Sequence, residues 1–195
     1  AVVIVRAQRD KGIEKGIFVE SDGFIAMEAA HFQTSRAVTD GDFQILSPYG
    51  RTGSAVKVFP VTADFTDANE RPYVEYRFWA KQSAPYHVRF YMAATTPVVY
   101  ERKQYIGVSV NNGDIEIINT VEEENKQFFN SAQWSKEAYE NIKLTETTVL
   151  LDEGVNILRF YAVSPAIVLE RIVLYPKGTQ LPESYLGPQE SYRKD

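Results

Sequence analysis

Gly23-Phe-Ile-Ala-Met-Glu-Ala-Ala-His-Phe-Gln33 decides the fold. In an extended segment, Phe24, Ala26, Glu28, Ala30 and Phe32 fall on one side, and Ile25, Met27, Ala29 and His31 on the other. Side chains alternate along a strand, so a segment apolar on both sides reads as a strand buried on both. Glu28 is the exception, because a carboxylate among apolar neighbours is costly unless a cation, a metal or backbone N–H groups compensate it. Two readings stay open: Glu28 ends the strand where backbone donors reach it, or it helps to hold a metal.

Working outward, Glu20-Ser-Asp-Gly23 is a turn signature, and Asp10–Lys15 reads as a loop. Phe43–Leu46 and Ser54–Phe59 read as strands around the loop Ser47–Gly53, the second stopped by Pro60. Tyr73–Lys81 and Tyr86–Met92 alternate and read as an antiparallel pair joined through Gln82-Ser-Ala-Pro85. Tyr105–Val110 and Ile115–Ile118 flank Asn111-Asn-Gly-Asp114, a hairpin signal because Asn-Gly tolerates positive φ. Val121–Gln127, with Glu122-Glu-Glu124, reads as a solvated acidic run. Trp134–Asn141 is the one helical stretch, with Ser135 as its N-cap. Thr145–Leu151 and Asn156–Val163 are strands across Asp152-Glu-Gly154, and Ile167–Tyr175 is the last. The tail from Pro176 reads as packed rather than regular. Ten or so short strands separated by turn signals predict an all-β antiparallel β-sandwich.

Composition narrows the function. The 195 residues suffice for one core-forming domain, with residues 1–18 as a linker or extra edge strand, 19–188 as the sandwich and 189–195 as a tail. Net charge of −5 argues against nucleic acid. The absence of cysteine excludes disulfides, thiol catalysis and thiolate metal sites, and two histidines argue against a dedicated zinc site. No run of about 18 apolar residues is present to span a membrane, and Ala1-Val-Val-Ile-Val5 has no signal-peptide features.

Several stretches together resemble the C-terminal domain of glycoside hydrolase family 115, the xylan α-1,2-glucuronidases. They are Phe24–Phe32, Gly50-Arg-Thr-Gly-Ser-Ala-Val56, Pro72–Tyr76, Trp134 with Asn141, Ser164–Ile172 and Ser184-Tyr-Leu-Gly-Pro-Gln-Glu-Ser191. The resemblance covers roughly residues 19–191. It implies a jelly roll, galactose-binding-domain-like and similar to carbohydrate-binding module families 6 and 35, from an extracellular or periplasmic protein. The catalytic domain, upstream in that family, is absent from the chain. Related modules carry Glu-x-Glu in the first strand for a structural calcium, whereas Glu28-Ala-Ala30 lacks the second acid. Ser164 stands where the family tends to place Asp. Calcium takes about six to eight oxygens, so the expectation is no cofactor, with a calcium at Glu28 as the alternative.

Alternation also yields candidate binding residues. Arg77 and Trp79, Arg89 and Tyr91, and Arg159 and Tyr161 point away from the core on their strands, with Glu75 and His87 beside them. Flat aromatics stack on sugar rings and arginine forks grip carboxylates, so these six suit an acidic sugar. Cation–π pairing on an ordinary surface, or a docking face for another domain, explains the same pattern. Trp134 is a plug closing the sandwich or a displayed platform, the plug preferred. Arg51 is expected to bond loop carbonyls and His31 to be core or half-buried. No spacing singles out a pair of catalytic acids, and no phosphate loop or nucleophile elbow is present.

The expectation is a non-catalytic accessory domain that supports a catalytic domain through domain or subunit contacts, a homodimer included, and binds glucuronoxylan-type polysaccharide. A free-standing carbohydrate-binding or adhesion module, and an independent glycan-active enzyme, are the rivals.

Overall fold

The computed structural model describes residues 12–98, 103–121 and 132–194. Among these residues twelve strands form two six-stranded sheets. In chain order they are β1 (Phe18–Val19), β2 (Ile25–Glu28), β3 (Thr34–Arg36), β4 (Asp42–Leu46), β5 (Ala55–Phe59), β6 (Tyr73–Ala80), β7 (Ala84–Met92), β8 (Tyr105–Val110), β9 (Glu116–Asn119), β10 (Lys143–Leu151), β11 (Gly154–Ala162) and β12 (Val168–Pro176). An α-helix, α1, spans Ala132–Glu140. The front sheet runs β1-β6-β11-β8-β9 with β3 also on β6; the back sheet runs β10-β7-β12-β5-β4 with β2 also on β12. All pairings are antiparallel except β1 with β6.

Alternation explains most strands. In β6, Val74, Tyr76, Phe78 and Ala80 are buried between the sheets, while Tyr73, Glu75, Arg77 and Trp79 are half-buried on the outer side. β11 likewise sends Leu158, Phe160 and Ala162 into the same core. The polar end of a buried Tyr needs a partner, and the Tyr76 hydroxyl donates to the Ala29 carbonyl at 2.7 Å. β12 is apolar on both sides for a different reason. Leu169, Ile172 and Leu174 face the core, while Val173 and Tyr175 join Phe24, Ala26, Tyr91 and Ile142 in a second apolar cluster on the outer side, under Leu181 of the tail.

Three sequence expectations are corrected. The opening strand is short: it ends at Glu28, and Ala29–His31 turn into a 3-10 helix, so Ala30 is not on a strand. β6 and β7 do not pair; the chain crosses between sheets at residues 81–83, as it does again between β10 and β11. α1 begins at Ala132, which places Ser135 inside the helix rather than at its N-cap. The hairpin turn between β8 and β9 forms as expected, with positive φ on Asn111 and Asn112. Asn111 is held there by its amide, which donates to Asn156 Oδ1 at 2.7 Å, while its Oδ1 accepts from Ile157 N at 2.9 Å. The acidic run Glu122–Glu124 lies outside the described residues.

The two chain ends interlock. Gly16 N donates to Lys194 O (2.7 Å), Lys194 N to Ile17 O (3.0 Å) and Val19 N to Tyr192 O (2.9 Å). Ser191 N donates to Ala26 O, and Ala26 N to Ser191 Oγ at 2.9 Å. Hydrogen bonds therefore cross both seams expected at 18/19 and 188/189.

Candidate functional site at the tail junction

Glu28 is the last residue of β2 and lies directly opposite Arg171 on β12. Both are buried. Arg171 Nε donates to Glu28 Oε1 at 3.0 Å, and Nη2 makes a second, shorter bond to the same oxygen. Thr52 Oγ1 donates to Glu28 Oε2 at 2.6 Å. Arg171 Nη1 donates to the Leu186 carbonyl at 2.6 Å and also to that of Pro188. A guanidinium thus ties the first described back-sheet strand, the last strand and the tail. Its planar fork suits several fixed acceptors at once.

A second arginine continues the lock. Arg51 N donates to Glu170 Oε2 at 3.1 Å, Nη1 donates to Tyr185 O at 2.7 Å, and Nη2 bonds the Glu140 carbonyl at the end of α1. Its guanidinium lies 4.1 Å from the centre of the Tyr185 ring. The expectation that Arg51 bonds carbonyls therefore holds. Two glycines are fixed by this packing. A Cβ on Gly50 (φ 63°) would lie 2.5 Å from the Glu170 carboxyl carbon. One on Gly187 (φ 73°) would meet Arg171 Nη1 at 3.1 Å and the Tyr91 ring at 3.4 Å. Burial raises the Glu170 carboxyl above the ordinary carboxylate range, against the pull of the Arg51 N–H and charge.

Beside the lock opens a pocket of about 660 Å³. Its walls are His31, Ser47, Thr52–Ser54, Ser184, Leu186, Gly187, Gln189 and Glu190, with Glu28 and Arg171 also lining it. Glu190 Oε1 accepts from Glu28 N at 2.9 Å and meets His31 Nδ1 at 2.8 Å. His31 is about half exposed, at 49% of its side chain.

The six candidate binding residues do not converge. Arg77, Trp79, Arg159 and Tyr161 lie on the outer side of the front sheet; Arg89 and Tyr91 lie on the outer side of the back sheet. Their single face fails because β6 and β7 belong to different sheets. Each has a protein partner. Arg77 pairs with Glu14 at 2.9 Å, and Trp79 packs on Ile13, Ile17 and Val19. Arg159 pairs with Glu75 at 2.8 Å and lies 5.2 Å from the Tyr73 ring centre. The Tyr161 hydroxyl meets Ser109 Oγ at 3.1 Å. Arg89 bonds Glu146 at 2.6 Å and the Tyr175 hydroxyl at 3.1 Å. Burial pushes that phenol up to about 12, reinforced by its hydrogen bond to Glu146. Tyr91 is buried in the second apolar cluster. Trp134 is half-buried on α1, not a fully buried plug, and the helix residue that is buried is Glu137, 3.7 Å from Lys143. His87 is half-buried against the Tyr175 ring.

The lock was missed in the sequence, although two charges in the apolar run Ile167–Tyr175 carried the same signal as Glu28. A calcium would need about six to eight oxygens. The guanidinium of Arg171 already lies against Glu28, and no group of three or more His, Asp or Glu able to hold a metal occurs among the described residues. The donor set at Glu28 does not fit that ion.

This two-sheet architecture is that of a carbohydrate-binding-module-like β-sandwich. A family 35 carbohydrate binding module from Clostridium thermocellum superposes with a TM-score of 0.51 at 19% identity, over 77% of this chain and 97% of that one. An exo-β-1,3-galactanase from Phanerochaete chrysosporium gives 0.52 at 18% identity, over 78% of this chain and 29% of that one. The family GH115 4-O-methyl-α-glucuronidase BtGH115A, with specificity for decorated arabinogalactans, gives 0.57 at 15% identity, over 90% of this chain and 19% of that one. This chain thus spans about a fifth of that enzyme. At these identities the likeness is one of fold. No curated protein matches the sequence. The model of the glycosyl hydrolase family 115 C-terminal domain matches residues 17–190, and the chain belongs to that family.

Proposed function

We propose that this domain is a non-catalytic accessory part of a family 115 glycoside hydrolase acting outside the cytoplasm, and that it supports the catalytic region by domain or subunit contacts. One observation carries the reading: the stretches that mark the family bond chiefly to one another. Glu28, Arg51, Glu170, Arg171, Tyr185 and Leu186 all meet in the lock. A signature spent on internal bonds maintains a shape, and a maintained shape serves contact with a neighbour. The test uses the chain alone and in trans. It should release no glucuronic acid from aldouronic acids or glucuronoxylan, and it should bind a family 115 catalytic region lacking this domain. Release of glucuronic acid by the chain alone overturns the reading.

Carbohydrate binding is the second reading, favoured by the open polar pocket at the tail junction. On the outer faces, the arginine forks expected to hold an acidic sugar already hold Glu14, Glu75 and Glu146. A uronate there must displace a carboxylate of the protein.

A further inference from the structure

We infer that the tail-junction pocket binds a neutral, hydroxyl-rich saccharide and discriminates against uronic acids. The inference deepens the second reading above and rests on it; the accessory role stands apart, since it is tested by glucuronic acid release and by binding to the catalytic region, not by saccharide binding.

Charge decides the ligand class. The pocket is lined by two carboxylates, Glu28 and Glu190, against one guanidinium and the His31 imidazole, which already meets Glu190 at 2.8 Å. Arg171 has spent its fork on Glu28 and on the carbonyls of Leu186 and Pro188. A carboxylate entering the pocket would meet like charge and no open cationic fork, and an unpaired charge against like charge is disfavoured. A sugar hydroxyl both donates and accepts. It can donate to Glu190, whose side chain is 28% exposed, and accept from an amide or another hydroxyl.

Open groups are present for it. The Ser54 hydroxyl and the Gln189 amide make no hydrogen bond within the described residues, and both line the pocket. They stand on segments held from below. Thr52 is tied to Glu28, and the stretch around Gln189 is tied through Pro188 to Arg171 and through Glu190 to the backbone of Glu28. Walls fixed in this way lower the ordering cost of binding. The volume of about 660 Å³ lies in the range of small-ligand sites. No Phe, Tyr or Trp ring is among the described residues that line the pocket, so hydrogen bonds and not stacking carry the affinity, which is therefore modest.

The experiment titrates the ¹⁵N-labelled chain with neutral xylo-, galacto-, arabino- and manno-oligosaccharides, and with the aldouronic acid matching the xylo-oligosaccharide. Saturable shifts are expected with at least one neutral ligand, and weaker binding of the aldouronic acid than of its neutral counterpart. Gln189→Ala and Ser54→Ala should each weaken binding about fivefold, the loss of one hydrogen bond. Arg77→Ala, on the front sheet, should leave it unchanged. Because the Ser54 and Gln189 side chains make no hydrogen bond within the described residues, both variants should keep the wild-type melting temperature and the amide spectrum away from the substitution. Absence of saturable binding to every neutral ligand overturns the inference. So does binding that survives both pocket substitutions, or tighter binding of the aldouronic acid than of its neutral counterpart that is lost in Gln189→Ala or Ser54→Ala.

Discussion

At the scale of the residue, the fold turns on how charge is carried below the surface. Glu28 and Arg171 are both buried, and each would be stranded without the other. Breaking a buried pair costs about 3–5 kcal/mol, whereas replacing both partners by apolar residues is often nearly neutral. Arg171→Met should therefore lower the unfolding free energy by about 3–5 kcal/mol in urea titration, and Glu28→Met with Arg171→Met should recover much of it. Because the cation is part of the chain, EDTA should leave the melting temperature unchanged. Glu170 behaves oppositely. Burial raises its carboxyl pKa in the folded state, so its contribution is fully present below the unfolded range and is lost as pH rises through the folded value. Glu170→Gln keeps an acceptor for Arg51 N. Its stability relative to wild type should grow as pH rises above about 4, read from urea midpoints at each pH. Growth in the other direction would mean that Arg51 outweighs burial. The sequence exposed the problem at Glu28 but not its solution, because alternation fixes which side a residue faces and not which residue lies opposite it.

At the scale of the element, alternation was read correctly wherever one strand face meets the core and the other meets solvent. The faces of β6 and β11, and the turn at Asn111–Asp114, follow from the residues themselves. Sheet membership does not. Four residues between two alternating runs suit a hairpin or a crossing between layers equally well, and the chain crosses. The helix start was misplaced because Ser135 fits both a cap and an exposed helical position. The tail motif was legible as specific but not as structural, since its role lies in its carbonyls, which accept from Arg51 and Arg171. Gly187 tests that role. It sits at φ 73° with Arg171 Nη1 and the Tyr91 ring beside its missing Cβ. Gly187→Ala should cost about 1–2 kcal/mol from backbone strain, and more if the Arg171 contact cannot yield, measured by urea unfolding. An unchanged midpoint would show the tail to be loosely seated.

At the scale of the whole molecule, the N-terminal segment, both sheets and the tail form one hydrogen-bonded body. Residues 190–194 reach β2 and the strand before β6 in space. Removing residues 189–195 should strip partners from Ala26, Glu28 and Ile17 and lower the melting temperature of the entire domain in a single transition, followed by tryptophan fluorescence and by circular dichroism. Two separated transitions would mean that the tail is an appendage. Trp79 reports on this well, because it packs on the same N-terminal segment that the last residues clasp.

That clasp places Gly16 and Lys194 side by side. A polypeptide entering at one and another leaving at the other would share a single point of attachment. The module would then join its host at one corner, leaving its remaining faces for contact, instead of standing as a spacer that holds two neighbours apart.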